Sequence, residues 1–164
     1  MELIIACEDL EDEALSGIHS SKRLRYLQVY SNKLTDKGVD HISNLAGINT
    51  LILYSDKITN KSIETVRRIK SLRALTVCSR KIDDTGVKSL KPLKRLTGIS
   101  LSRTSITDKS IDILATFSSL EGLIISDTNI TPERVEELKM SRPDLSIRYN
   151  EPPLKWPTYE WATD

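Results

Sequence analysis

Apolar residues change their spacing along this chain at a fixed interval. Leu96, Ile99 and Leu101 end on a period of two, with polar or small residues between them, as a strand with one buried face requires. Beyond Ile106, the residues Ile111, Leu114, Phe117 and Leu120 recur every third position, which predicts a short helix with one buried stripe. Thr107-Asp108 stands between the two patterns and offers side-chain oxygen where the first helical N–H groups need an acceptor. The stretch 96–120 therefore predicts a strand, a turn, a capped helix and a return.

The same pattern reappears whenever the window slides by 24 residues. Leu24, Ile48, Leu72, Leu96 and Leu120 open it. Leu27, Leu51, Leu75, Ile99 and Leu123 hold its fourth position, and Val29, Leu53, Val77, Leu101 and Ile125 its sixth. Leu34, Ile58, Ile82, Ile106 and Ile130 lead into the helices. A register kept five times over identifies a repeat protein whose core is a stack of nearest-neighbour contacts.

Residues 1–23 fit the same template, with Leu3 and Ile5 at the inward strand positions and Leu15 and Ile18 on the helical stripe. Five fuller repeats begin at 24, 48, 72, 96 and 120. Helix entries are expected at Thr35-Asp36, Thr59-Asn60, Asp83-Asp84, Thr107-Asp108 and Thr131-Pro132, the last with proline at the first helical position. Ile147 and Tyr149 predict a final strand near 145–149. Residues 1–150 thus form one domain. Residues 151–164 leave the period, carry Trp156, Trp161 and three prolines, and are expected either to cap the stack or to dock on another protein as a proline-rich peptide.

The pattern Leu-x-x-Leu-x-Leu-x-x-(Asn/Thr)-x-Leu, followed by Thr-Asp-Lys-(Gly/Ser)-(Val/Ile) at 35–39 and 107–111, resembles the leucine-rich repeat in its helix-containing subclass. That subclass occurs in F-box-type adaptors and many bacterial repeat proteins. The resemblance implies an α/β solenoid with a concave parallel β-sheet, convex α-helices and a mostly protein-binding role. The ninth repeat position, often Asn in this family, is Asn32, Asp56, Arg80, Thr104 and Thr128 here. Arg80 cannot reproduce the amide's bonding, so a locally altered turn is expected in the third repeat.

The chain has 24 Lys and Arg, 23 Asp and Glu, and a net charge of +1, so overall charge selects no partner. Its distribution is uneven: residues 1–21 are acidic without a single Lys or Arg, whereas 57–95 carry twelve. There is no long apolar run and no basic leader ahead of one, which points to a chain without a membrane span or secretory signal. Cys7 and Cys78 fall three strand steps apart, about 14 Å at ~4.8 Å per step. That exceeds disulfide reach and suggests free thiols in the cytoplasm.

No catalytic, metal or cofactor constellation emerges. His19 and His41 stand alone on helical segments, and neither pairs with cysteine or completes a triad. Gly38 and Gly86 recur at one helix position, as close packing requires, and form no phosphate-binding loop.

The concave sheet is the more informative surface. Its outward positions read Tyr26, Gln28, Tyr30; Thr50, Ile52, Tyr54; Ala74, Thr76, Cys78; Gly98, Ser100, Ser102; Gly122, Ile124, Ser126. Three tyrosines and Ile52 on one exposed patch suggest a protein-binding hot spot, with Gly98, Ser100 and Gly122 leaving room beside it for a bulky partner element. The candidate partner-binding set is Tyr26, Gln28, Tyr30, Ile52, Tyr54, Thr76, Cys78 and Ser100. Arg67, Lys70, Lys91 and Lys94 stack one repeat apart, but they lack interleaved aromatics, which disfavours nucleic acid. The expected function is non-catalytic protein recognition on the concave face, or alternatively a cytosolic inhibitor of the immunity type that occludes an enzyme's active site. The first strand, with no predecessor, could pair between copies.

Overall fold

The computed structural model describes residues 1–150. Seven strands lie in one parallel sheet in chain order: β1 (Glu2–Ala6), β2 (Tyr26–Tyr30), β3 (Thr50–Tyr54), β4 (Ala74–Cys78), β5 (Gly98–Ser102), β6 (Gly122–Ser126) and β7 (Ser146–Tyr149). The register never slips: Leu27 pairs with Leu3 and Leu51, and Leu101 with Val77 and Ile125. Equivalent positions of successive repeats therefore sit side by side, so each inward position becomes a continuous apolar row.

The returning segments carry helices α1 (Asp36–Ile42), α2 (Asn60–Val66), α3 (Asp84–Ser89), α4 (Asp108–Ala115) and α5 (Pro132–Ser141). In residues 1–23 the helical stripe forms two 3-10 turns, Asp12–Leu15 and Ile18–Ser20, which still bury Leu15 and Ile18. Helices this short are marginal alone; they persist because residues such as Val39, Ile63, Val87, Ile111 and Val135 close one shared core against the sheet. Across β1 the burial is incomplete. Leu3 and Ile5 pack against that core, while Met1 and Ile4 are 64% and 40% exposed.

Two hydrogen-bonded rows tie each repeat to the next. The first lies just past the strands. Ser31, Ser55 and Ser79 are buried, donate to backbone carbonyls of the preceding repeat (Leu10, Leu34 and Ile58), and accept from the N–H of Lys33, Lys57 and Lys81. The third repeat, which carries Arg80, thus turns as the first two do. The altered turn comes later, where the serine is replaced by Arg103 and Asp127, both in left-handed backbone (φ 50 and 53). Thr104, beside the first of these, is fully buried with an unpartnered hydroxyl. Arg80 turns away from the loop: its guanidinium donates to the carbonyl and carboxylate of Asp127. Arg103 donates one bond to the Asp56 carboxylate, at 3.3 Å.

The second row runs through the helix entries. The carboxylates of Asp12, Asp36, Asp84 and Asp108 each accept both the N–H and the hydroxyl of the next N-cap threonine: Thr35, Thr59, Thr107 and Thr131. Thr35, Thr59 and Thr107 in turn accept from the second helical N–H of their own helix, satisfying one otherwise unpaired donor. Ser62 and Ser110 add hydroxyl donors to Asp36 and Asp84. Gly38 and Gly86 occupy the equivalent positions in their repeats, and a Cβ there would stand 2.5 Å from Asp12 Oδ1 and Asn60 Oδ1. The position thus alternates between glycine, which lets the preceding side chain approach closely, and serine, which bonds to it.

One rung is chemically inverted. The third helix is capped by Asp83, whose carboxylate accepts from Thr85 N–H and has no proton to give. Its predecessor is accordingly asparagine: Asn60 donates Nδ2–H to the Asp83 carboxylate and accepts the Asp83 N–H on Oδ1. Burial would raise the Asp36 carboxyl, but hydrogen bonds from Ser62 and Thr59 hold it below its ordinary value. Burial likewise opposes, and bonds from Thr85 and Asn60 outweigh, the effect at Asp83. Both depressed groups contribute stability above an unfolded-state pKa of 3.8 that is lost as pH falls through the folded values.

Asn60→Asp, which sets two carboxylates against each other, should destabilise the fold by about 1–2 kcal/mol at pH 7. Adding Asp83→Thr restores the acid–hydroxyl pair and should recover most of that loss. The deficit of the single variant should also shrink as pH falls toward 4, because one protonated carboxyl becomes a donor. Urea titrations of the four-member mutant cycle read all three.

Candidate functional site

Strand alternation turns every third, fifth and seventh repeat position onto the concave side, and the in-register pairing aligns them into rows across the sheet. On β2 and β3, Tyr26, Gln28, Tyr30 and Tyr54 stand half-buried along one end of this face. The Tyr30 and Tyr54 rings lie 6.1 Å apart at 42°, a tilted aromatic pair. Tyr26 Oη donates to Gln28 Oε1 at 2.8 Å, which fixes the amide's orientation. Burial, then the neighbouring Cys78 and Tyr26, push the Tyr54 hydroxyl up to about 12. It remains a neutral donor across the physiological range.

Two residues of the candidate set do not present a surface. Ile52 is 2% exposed and Cys78 is 6% exposed. Both face the concave side, yet neither joins the main core. Ile52 is flanked in register by Gln28 and Thr76, with Tyr54 two residues along its own strand; neighbours that converge on a concave surface leave a mid-strand side chain beneath them. Ile52 is the floor of the tyrosine patch, not part of its face. Cys78 lies between Tyr54 and Ser102 in register. Burial pushes its thiol up, while the charges of Arg103, Asp56, Arg80 and Asp127 act on it from the rim. A protonated, covered thiol is a poor nucleophile.

Thr76 and Ser100 are half-buried on the same face. They border a shallow apolar trough of about 270 Å³ that continues past them, lined by Gly98, Gly122, Ile124 and Arg148 as well. The trough exists because the third repeat position, where each strand begins, is Ala74, Gly98 and Gly122 in three successive strands. Neither glycine is required by the backbone, since no glycine among the described residues has positive φ. Nor is either required by packing: a Cβ on Gly122 would meet nothing within 4 Å, and one on Gly98 only Ala74 Cβ at 3.8 Å. Arg148 belongs to this wall, the third residue of β7 and the register partner of Ile124.

Two interlocked ion pairs cross the rim beyond the strands, Arg80 with Asp127 and Arg103 with Asp56. Each skips one repeat. Both pairs are half-exposed, where ion pairs contribute little stability individually; together they fix the carboxyl-side border of the concave face.

The opposite side offers less. Arg67, Arg68, Lys70, Arg73, Lys91, Lys94 and Arg95 are all exposed, and none forms an ion pair among the described residues. Lys91 and Lys94 edge a crevice of about 220 Å³ with Thr116, Phe117, Ser118 and Ser119. His19 is exposed and His41 half-buried, on separate turns. No cluster of three His, Cys, Asp or Glu side chains suited to a metal occurs among the described residues, and none of their helices is long and apolar enough to cross a membrane. Cys7 is exposed and Cys78 buried, and both are free thiols. Trp156 and Trp161 lie outside the described residues.

No family model matches the chain. No curated protein matches it either. Solved structures do. A leucine-rich-repeat protein of Leptospira interrogans superposes with a TM-score of 0.61 at 19% identity, over 90% of this chain and 36% of its own. Internalin C2 of Listeria monocytogenes superposes with a TM-score of 0.62 at 20% identity, over 85% of this chain and 59% of its own. The chain thus spans between a third and three-fifths of the structures it resembles. At such identities the likeness is one of fold: this is a leucine-rich-repeat solenoid.

Glycine inside a strand costs roughly 0.5–1 kcal/mol relative to alanine. Gly122→Ala should therefore stabilise the protein by about that amount, as read by urea denaturation. A loss of stability would show that the fold itself demands the glycine.

Proposed function

We propose that this leucine-rich-repeat solenoid is a non-catalytic protein-recognition module that receives its partner on the concave face of β2–β6. The observation that carries this reading is the pair Gly98 and Gly122. They open β5 and β6 and serve neither backbone geometry nor packing, and close approach of another backbone or ligand is one use a sheet makes of glycine. Beside them stands a wall of three tyrosines, a side chain that combines large contact area with few rotors. A partner that lowers one bulky apolar side chain into the trough and lays its flank on Tyr30 and Tyr54 would use both features.

An inhibitor of the immunity type, which covers an enzyme's active site, uses the same surface. It differs from an adaptor only in what its partner loses on binding. Nucleic acid fits less well, because the basic cluster from Arg67 to Arg95 has no aromatic side chains interleaved with it. Two free cysteines support a reducing, cytoplasmic setting. The outer edge of β1, with Ile4 and Met1 exposed, is a second place where a strand could add.

Tyr30→Ala with Tyr54→Ala should weaken capture of the physiological partner by at least tenfold while leaving the circular dichroism spectrum intact. Charge reversal on the helix side, Arg68→Glu with Lys91→Glu, should leave capture unchanged. Affinity purification with each variant, followed by mass spectrometry and a titration of the recovered partner, checks both. Equal loss from the helix-side pair would move the interface off the concave face.

A further inference from the structure

We propose that the crevice between the loops following α3 and α4 binds the phosphate group of a small phosphate monoester. This site is independent of the concave face. It follows from a step in the repeat. Lys70, Lys94 and Ser118 hold one repeat position, and Ser71, Arg95 and Ser119 hold the next. Long basic side chains at 94 and 95 therefore give way to short hydroxyls at 118 and 119. A hollow of about 220 Å³ is left beside Lys91 and Lys94. Leu93 and Phe117, both buried, line it as well, and an apolar lining strengthens the attraction between opposite charges.

The crevice gathers donors that the fold leaves unused. Leu120 N–H donates to the Phe117 carbonyl, which closes a turn with Ser118 and Ser119 at its centre. Neither of their own N–H groups meets an acceptor among the described residues, and successive amides in a turn form an anion-binding concavity. The Ser118 hydroxyl and the ammonium groups of Lys91 and Lys94 also have no hydrogen-bond or ion-pair partner among the described residues. Lys70, one repeat earlier, differs: its ammonium donates to the Arg67 carbonyl.

The groups that would repel an anion are already engaged. A helix C-terminus carries partial negative charge, and α4 ends beside the crevice. Arg142, itself paired with Asp144, donates to the carbonyls of Ala115, Phe117 and Leu120. No carboxylate lines the crevice among the described residues. A hollow of about 350 Å³ at the other end of the stack makes the contrast. There Glu11, Asp12 and Glu13 stand beside Lys33, Lys37 and Lys57, and Lys33 pairs with Asp9. The chain supplies its own anions at that place and none at Lys91 and Lys94. A phosphate monoester brings nearly two negative charges and three acceptor oxygens near neutral pH, which matches two ammonium groups and two amides better than a carboxylate does. The volume is below the roughly 300–1,000 Å³ of pockets that enclose a whole organic ligand, so the phosphate enters and the rest of the ligand stays outside.

The experiment titrates the full chain with methyl phosphate, a monoester, and with dimethyl phosphate, a singly charged diester, at ionic strength held constant with chloride. Amide resonances are followed by NMR. Methyl phosphate should shift the Ser118 and Ser119 amides along a saturating curve, and dimethyl phosphate should bind about tenfold more weakly. Lys91→Gln and, separately, Lys94→Gln should each weaken methyl phosphate about tenfold. If one variant fails to fold, the other decides. Arg67→Gln with Lys70→Gln, at the same repeat positions one repeat earlier, should leave the affinity within about twofold. Shifts that never saturate would overturn the proposal, as would equal binding of the diester. So would an equal loss from the Arg67 and Lys70 pair, which would reduce the effect to diffuse charge.

Discussion

The constraint on which this architecture depends is a hydrogen-bonded match between consecutive helix entries. A parallel sheet pairs strands through their backbones and would accept slipped registers were its inner face not apolar. The helix side has weaker means of keeping step, because six- to ten-residue helices have little stability of their own. An acid at the first helical position of one repeat and a hydroxyl at the N-cap of the next supply that step. The carboxylate accepts two bonds at once, so it fixes both distance and orientation. The inverted Asn60–Asp83 rung shows that the requirement is complementarity, one donor side chain against one acceptor, more than any particular residue type.

That regularity is what makes the concave face a surface with a design. In-register strands convert single outward positions into rows, and the rows differ from one end to the other. Tyrosines fill β2 and β3, small residues empty β4 to β6, and two crossed ion pairs border the carboxyl side. The side chains that give the face its relief are not those that hold the stack together. Surface relief and stability are thus divided between alternate residues of the same strands.

Much of this is legible in the chain. The buried positions recur because each must be apolar in every repeat, so strand number, helix entries and the face of each strand residue follow from spacing. The depth of a residue does not. Alternation assigns Ile52 and Cys78 to the concave side, but their burial comes from curvature and from taller neighbours on adjacent strands, which no local pattern encodes. The helix-entry row is hidden for a related reason. Asp36 read alone is an expected acid at a helix start, and its bonds to Thr59 and Ser62 span more than twenty residues. The compensating pair, Asn where the next cap is Asp and Asp where it is Thr, is the signal that spacing alone overlooks. Arg80 does not distort its turn, contrary to expectation, because the loop is held by the preceding Ser79, which frees the arginine to reach Asp127.

The most direct test of the central claim is native-state hydrogen exchange at the amides of Thr35, Thr59, Asp83, Thr107 and Thr131. An N-cap amide has no partner inside its own helix and ordinarily exchanges with the loop that precedes it. Here each is given to the previous repeat's side chain, so all five should exchange nearly as slowly as the strand amides of Leu51 and Leu75. Exchange at loop rates, with the strands still protected, would mean that the sheet alone sets the register and that the helix-entry row is a consequence of the fold.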